Sequence, residues 1–247
     1  MKAKICLVGY TYRGYNMVHA FLKAKEYGFD AIELRSFSDM DITNTHNLKK
    51  SIEKARELSL EHNIEAPVTF IPIGDLYGEK EITQLLPFLA ENNISILHTH
   101  IRLLTSDSRV LVSAEACEDD YRKAANLLKA IGSEAEHHNI TIAVETHMGT
   151  MHDTTSSILR LLQYTDCEAV KASLDFANIL IVNRQENLLE TIRKLAGRIG
   201  YTHIKNCRFY PWGYDWGVPL QFGDINYHKV LKELIGTGYF GLFATEY

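Results

Sequence analysis

The chain has 247 residues, of which 46% are hydrophobic and 23% charged, and its formal net charge is −5. A chain of this size can bury a large core without disulfides. The acidic balance argues against a nucleic-acid partner, because a duplex-binding face is normally basic. No stretch approaches the roughly 18 apolar residues that a membrane span needs. The first apolar run is too short for a signal peptide.

The cysteines are widely spaced and form no C-x-x-C pair, which indicates reduced thiols in a cytoplasmic protein. They are Cys6, Cys117, Cys167 and Cys207.

Short apolar runs alternate with amphipathic helical stretches along the chain. The runs predicted as strands are Ile5–Val8, Ala31–Leu34, Pro67–Ile71, Ile94–Ile101, Ile140–Glu145, Val170–Asp175, Gly200–Ile204 and Tyr239–Thr245. The helical patterns are Met17–Tyr27, Leu48–Glu61, Ile82–Glu91, Glu115–His137, Ser156–Tyr164, Leu188–Leu195 and Tyr227–Leu234. This alternation predicts parallel strands with helices outside. Eight units of about 31 residues fit a single-domain (β/α)8 barrel spanning residues 1–247.

An open, doubly wound sheet is the alternative fold. It is weakened because the segment from Gly9 to Gly14 lacks the Gly-x-Gly-x-x-Gly pattern of a dinucleotide-binding turn. The last predicted strand is followed only by Glu246 and Tyr247, so no eighth helix is expected. Alternation along that strand then predicts that Phe243 and Tyr247 point outward with no helix over them. We expect a second subunit to fill this gap in a homodimer.

Potential metal ligands stand at the ends of four consecutive predicted strands: Glu145, Asp175, His203 and Glu246. Function in such barrels lies at the carboxyl ends of the strands, where these side chains should converge. Three carboxylates and one imidazole suit one divalent ion such as Mn, Mg, Co or Zn. Without a cation, the carboxylates would raise one another's pKa values.

These residues and their surroundings resemble the xylose isomerase-like superfamily, which includes ketose 3-epimerases, inosose dehydratases and endonuclease IV. The similar segments are Gly28–Leu34, Val144–His147, Leu174–Asn178, His203–Asn206, Phe222–Asn226, Gly238–Gly241 and Thr245–Glu246. The resemblance implies that Glu145, Asp175, His203 and Glu246 hold the metal. It also implies that Glu145 and Glu246 move protons.

Asn178 stands where the family often has a histidine that touches substrate or a second metal, which leaves the substrate open. The additional ligands of the three-zinc endonuclease site are not evident, so DNA repair is disfavoured.

Strand alternation predicts further side chains that face the site. His98, His100 and Arg102 share one face of strand four, while the apolar residues between them should meet the helices. Glu33 and Arg35 have the same parity on strand two. The residues expected to bind substrate are His100, Arg102, Asn178, Lys205 and Arg208. The positive charges of Arg102 and Lys205, together with Arg35 or Arg208, predict a carboxylate or phosphate on the substrate.

The leading functional hypothesis is a metal-dependent isomerase or epimerase of a sugar, keto-sugar or related polyol, with Glu145 and Glu246 as acid and base. A dehydratase or other lyase is the alternative, because it shares the first proton abstraction. A metal-binding or sugar-binding module without turnover is the third hypothesis.

Overall fold

The computed structural model describes residues 3–74 and 77–246. Its barrel strands, numbered in chain order, are β1 (Lys4–Val8), β2 (Ala31–Leu34), β3 (Glu65–Phe70), β4 (Ile96–Thr99), β5 (Thr141–Glu145), β6 (Val170–Asp175), β7 (Ile199–Ile204) and β10 (Leu242–Thr245). All neighbouring pairs are parallel, and β10 pairs with both β7 and β1, which closes the barrel. The predicted (β/α)8 barrel is therefore confirmed, and the open sheet is wrong because the first and last strands pair.

The helices lie outside the barrel. They are α1 (Met17–Glu26), α2 (Thr45–His62), α3 (Glu79–Glu91), α4 (Glu118–His137), α5 (Thr155–Thr165), α6 (Phe176–Val182), α7 (Leu188–Lys194) and α8 (Tyr227–Gly236). Both α6 and α7 lie between β6 and β7, and α6 was not among the predicted helices. Within the described residues no helix follows β10. None of the described helices is long and apolar enough to cross a membrane.

Capping residues explain where several helices begin and end. The side chain of Asn16 accepts a hydrogen bond from the His19 amide and starts α1, and Gly28 with φ +75° follows its end. Helix α2 begins three residues before the predicted Leu48, because Asn44 caps it by accepting from the Asn47 amide.

The barrel interior is filled by mostly small apolar side chains together with one tyrosine. They are Cys6, Val8, Ala31, Val68, Ala143, Tyr201, Leu242 and Ala244. A second and larger apolar layer lies between the strands and the helices. The small inner residues leave space above them for the polar side chains at the carboxyl ends of the strands.

The aromatic segment after β7 forms an antiparallel hairpin of β8 (Asn206–Tyr210) and β9 (Gly213–Val218). Its tip is exposed: Trp212 is 83% and Trp216 52% accessible. The hairpin begins three residues after His203, so it stands at the end of the barrel that carries the predicted metal ligands.

Phe243 lies in the apolar layer outside the strands, but the predicted gap over it is wrong, because this side chain is only 8% accessible within the single chain. The ring of Tyr239 packs edge-on against it with centroids 5.4 Å apart, and the Tyr239 hydroxyl donates to the Leu242 carbonyl. The segment before β10 therefore covers the outer face of that strand within the chain. Tyr247 lies outside the described residues.

The homodimer stays a prediction, and the exposed apolar residues on both sides of β10 now support it. Val18 and Leu22 of α1 and Ile235 of α8 are 38%, 49% and 46% accessible. We expect a dimer in sedimentation at micromolar concentration, and we expect Leu22→Glu to dissociate it by placing a charge in the contact. Leu60→Glu, at an exposed leucine of α2, is the matched control. A wild-type monomer would contradict the prediction.

Candidate metal centre and active site

The predicted ligands converge at the carboxyl ends of four neighbouring strands. Glu145 and Asp175 are the last residues of β5 and β6, His203 precedes the last residue of β7, and Glu246 follows β10. One ligand atom from each of the four lies within 4.8 Å of the other three. All four side chains are buried, with Glu246 the most accessible at 7%.

The donor set fits a divalent cation. His203 Nδ1 lies 3.3 Å from an oxygen of Glu145 and 3.3 Å from an oxygen of Glu246, yet it is buried without a hydrogen-bond partner. Burial, and the negative charges of Glu145 and Glu246, raise the pKa of Asp175. A cation among these atoms would satisfy the orphaned nitrogen and offset the repulsion between the carboxylates.

Two cationic side chains lie against the candidate ligands. Lys205 Nζ is 2.8 Å from Asp175 Oδ2 and 3.2 Å from Glu246 Oε2. Burial alone would lower the pKa of Lys205, but the charges of these two carboxylates raise it above its ordinary value, so the ammonium stays charged. Arg35 Nη1 is 3.4 Å from Glu145 Oε2, and its guanidinium stacks 4.0 Å from the ring centre of Phe70.

Asp175 has a second role at the start of α6. Its Oδ1 accepts a hydrogen bond from the Asn178 amide and caps the helix, while Oδ2 faces Lys205. The side chain of Asn178, completely buried, donates from Nδ2 to Glu145 Oε1 at 3.4 Å. The structure therefore brings the predicted Asn178 to the centre, in contact with a ligand.

His100 and His147 line the side of the centre next to Glu145. His100 Nε2 lies 2.6 Å from Glu145 Oε2, and burial lowers the pKa of His100 to about 3, so its ring is neutral. The His147 ring is 4.3 Å away between centroids, and His147 Nδ1 donates to the Met148 carbonyl. Because His147 is partly exposed, its ring lies between the buried carboxylates and solvent.

The other two residues predicted to bind substrate lie farther out. Arg102 is half-buried beyond the end of β4, where its amide donates to the Ile73 carbonyl. Arg208 is exposed on β8 opposite Asp215, with its guanidinium 5.9 Å from the ring centre of Tyr210. Their contact with substrate stays a prediction.

Two buried polar residues were missed from the sequence. Tyr201 donates its hydroxyl to Glu33 Oε2, and it stands two residues before His203, so strand alternation could have found it. His152 lies in the loop after β5, where its Nδ1 donates to the Glu145 carbonyl and its Nε2 accepts from the Ile101 amide. Burial lowers the pKa of His152 to about 4, which keeps it neutral. No periodic pattern marks a loop residue of this kind.

A family model described as the xylose isomerase-like TIM barrel matches residues 21–247. The chain belongs to this family. A curated relative, 3-dehydroshikimate dehydratase from Bacillus anthracis, is 27% identical over 142 residues, which are 52% of this chain and 50% of the relative. The aligned part thus spans about half the length of that relative.

Solved structures share the fold at low sequence identity. The IOLI protein with a bound zinc atom superimposes with a TM-score of 0.73 at 18% identity, covering 98% of this chain and 88% of that one. A D-allulose 3-epimerase from Methylomonas sp. gives a TM-score of 0.75 at 14% identity, covering 99% of this chain and 84% of that one. These likenesses establish the barrel and leave the reaction open.

We expect Asp175→Asn to weaken Mn²⁺ binding by more than the about 10- to 100-fold typical of residues that only support a ligand. An asparagine oxygen can still cap α6, so the variant removes the charge while keeping the fold. Isothermal titration calorimetry measures the affinity, and Glu65→Gln, at an exposed carboxylate at the opposite end of the barrel, is the control. Unchanged Mn²⁺ affinity in Asp175→Asn would rule out its place among the ligands.

Proposed function

We propose that the protein is a divalent-metal-dependent isomerase or epimerase that acts on a sugar, keto-sugar or related polyol. The observation that carries this proposal is the approach of Glu145 and Glu246 to the same nitrogen of His203, at 3.3 Å each. Two carboxylates that flank one small volume suit proton removal on one side of a carbon atom and proton return on the other.

The fit of the four ligands supports a bound metal. A divalent ion there would polarise a carbonyl group and stabilise the negative charge that develops on its oxygen when the neighbouring C–H proton is removed. Four carboxylates, those of Glu33, Glu145, Asp175 and Glu246, face the two side-chain cations Arg35 and Lys205. A divalent ion would therefore bring this cluster close to neutrality.

The residues around the two glutamates would orient them for the reaction. His100 and Asn178 hold the two oxygens of Glu145 from different sides, and Lys205 contacts Glu246. In the proposed reaction, Glu145 takes the proton from the carbon next to the carbonyl, and Glu246, protonated from solvent when substrate binds, delivers its proton to the opposite face. Glu145 then returns its proton to solvent, so that both carboxyl groups regain their starting states after product release. Because the site is buried, water is kept from competing for the carbanionic carbon.

A dehydratase is the second candidate, and the curated dehydratase relative favours it. The first step would be the same proton removal, followed by loss of a hydroxyl from the next carbon. His147 has the exposure to protonate a departing hydroxyl, because it stands between Glu145 and solvent. The two reactions differ in product: an epimer keeps its oxygen atoms, whereas dehydration releases water and leaves a carbon–carbon double bond.

We expect wild-type protein with Mg²⁺ to incorporate solvent deuterium at one substrate carbon when keto-sugars and inososes are followed by NMR in deuterated water. Glu145→Gln and Glu246→Gln should each slow this exchange by about 10²- to 10⁴-fold even at saturating Mg²⁺, because each removes a proton-transfer group. Glu65→Gln is again the control. An exchanged product with all its hydroxyls supports the epimerase, and an unsaturated product supports the dehydratase.

If either glutamine variant keeps near-normal turnover, the replaced glutamate has no role in proton transfer and can only be a metal ligand. Exchange that is absent with every compound tested, in protein that binds Mg²⁺, would favour the binding module.

We also propose that the substrate carries a carboxylate or phosphate, because four cationic residues follow the carboxyl ends of barrel strands on the side of the candidate ligands. They are Arg35, Arg102, Lys205 and Arg208. Lys205→Met should lower kcat/KM for an acidic substrate about 10- to 100-fold more than for its neutral analogue, since a charge-assisted hydrogen bond is lost. Steady-state kinetics with a matched acidic and neutral pair measure the ratio. Equal wild-type activity on both compounds would contradict an acidic substrate.

A further inference from the structure

Beneath the candidate ligands lies the carboxylate of Glu33, which does not reach the open end of the site. Glu33 of β2 is completely buried. Its Oε2 is 2.8 Å from His203 Nε2 and 2.9 Å from the Tyr201 hydroxyl, and its Oε1 is 2.9 Å from His98 Nδ1. We call these four residues the Glu33 cluster. Because an ionised carboxylate can only accept hydrogen bonds, both histidine nitrogens that face it must donate.

This requirement decides which nitrogen of His203 is available to a metal. A neutral imidazole carries one proton, and a proton held on Nε2 by Glu33 leaves the lone pair on Nδ1. Nδ1 is the atom that faces Glu145 and Glu246 without a hydrogen-bond partner. The hydrogen bond from His203 Nε2 to Glu33 therefore leaves Nδ1 with a lone pair that can bind a cation.

His98 separates the same carboxylate from a second candidate ligand. Its Nδ1 donates to Glu33, and its Nε2 lies 3.3 Å from Glu145 Oε2 without a hydrogen-bond partner. The Glu33 carboxylate thus acts directly on His203, and it holds the His98 ring in place beside Glu145. Its three donors come from β4 and β7, so the cluster also fixes the spacing of strands that do not adjoin β2.

We propose that Glu33 is a positioning residue that sets the tautomer and orientation of His203 and thereby the metal affinity of the centre. This role rests on the proposed metal-dependent function and adds to it a residue outside the ligand set. Partners of this kind typically contribute about 10- to 100-fold to metal affinity, because they orient the ligand ring and increase its basicity.

The first test is Zn²⁺ affinity measured by competition with a chromophoric chelator. Glu33→Gln has nearly the same shape but offers one carbonyl oxygen to three donors, so at least one of them loses its acceptor. We expect this variant to bind Zn²⁺ about 10- to 100-fold more weakly than wild type. Glu65→Gln makes the same chemical change at an exposed site and should stay within about 2-fold.

Tyr201→Phe provides an internal comparison. It removes one donor to the same carboxylate without touching a histidine ring, so its effect on Zn²⁺ affinity should be smaller than that of Glu33→Gln. A Tyr201→Phe loss as large as the Glu33→Gln loss would mean that general packing of the cluster, and not the His203 contact, sets the affinity. That result would overturn the proposal.

The second test reads the tautomer directly. In ¹⁵N-histidine-labelled, zinc-loaded wild-type protein, the His203 signals, assigned by their loss in His203→Gln, should show the proton on Nε2 and zinc on Nδ1. The opposite tautomer would overturn the proposal even if Glu33→Gln fails to fold. Wild-type protein that binds no zinc would contradict the proposed function as well. Tight binding by both wild type and Glu33→Gln would contradict only the role of Glu33.

Discussion

Four carboxylates are buried within one small volume, and the rest of the structure must supply partners for their negative charges. Glu33, Glu145, Asp175 and Glu246 are all at most 7% accessible, and each would be strongly destabilising if left unpaired. Hydrogen bonds from histidines and a tyrosine satisfy Glu33, and ammonium and guanidinium groups lie against the others. The remaining negative charge is concentrated around one nitrogen without a hydrogen-bond partner, and this donor set fits a divalent cation.

Closure of the barrel is the geometric condition for this arrangement. Pairing of β10 with both β7 and β1 places Glu246 beside His203, and without that pairing the chain would separate its last carboxylate from the other three. Small residues inside the barrel, such as Ala143 and Ala244, leave the room in which long polar side chains can meet. The meeting of the polar side chains thus depends on the small volume of the residues below them as well as on the order of the strands.

The barrel and the convergence of the four candidate ligands were predictable because strand periodicity and position at a strand end are local signals. Alternation also placed His98 and Glu33 correctly on inward faces, although the sequence could not show that a hydrogen bond joins them. The coverage of Phe243 was not predictable, because it depends on how the ring of Tyr239 folds back after α8. His152 was missed for a similar reason: its partners are backbone atoms brought together only by the tertiary fold.

The division of the barrel into two halves has a consequence for how such a site can diversify. The four candidate ligands come from β5, β6, β7 and β10, which are consecutive around the barrel, whereas β1 to β4 contribute supporting and flanking groups such as Glu33, Arg35 and His100. Beyond Arg35 and His100, which contact Glu145, the loops on the β1–β4 side can therefore change in length and charge without touching the candidate ligands. The part of the opening lined by these loops can diversify while the four candidate ligands on the other side are kept.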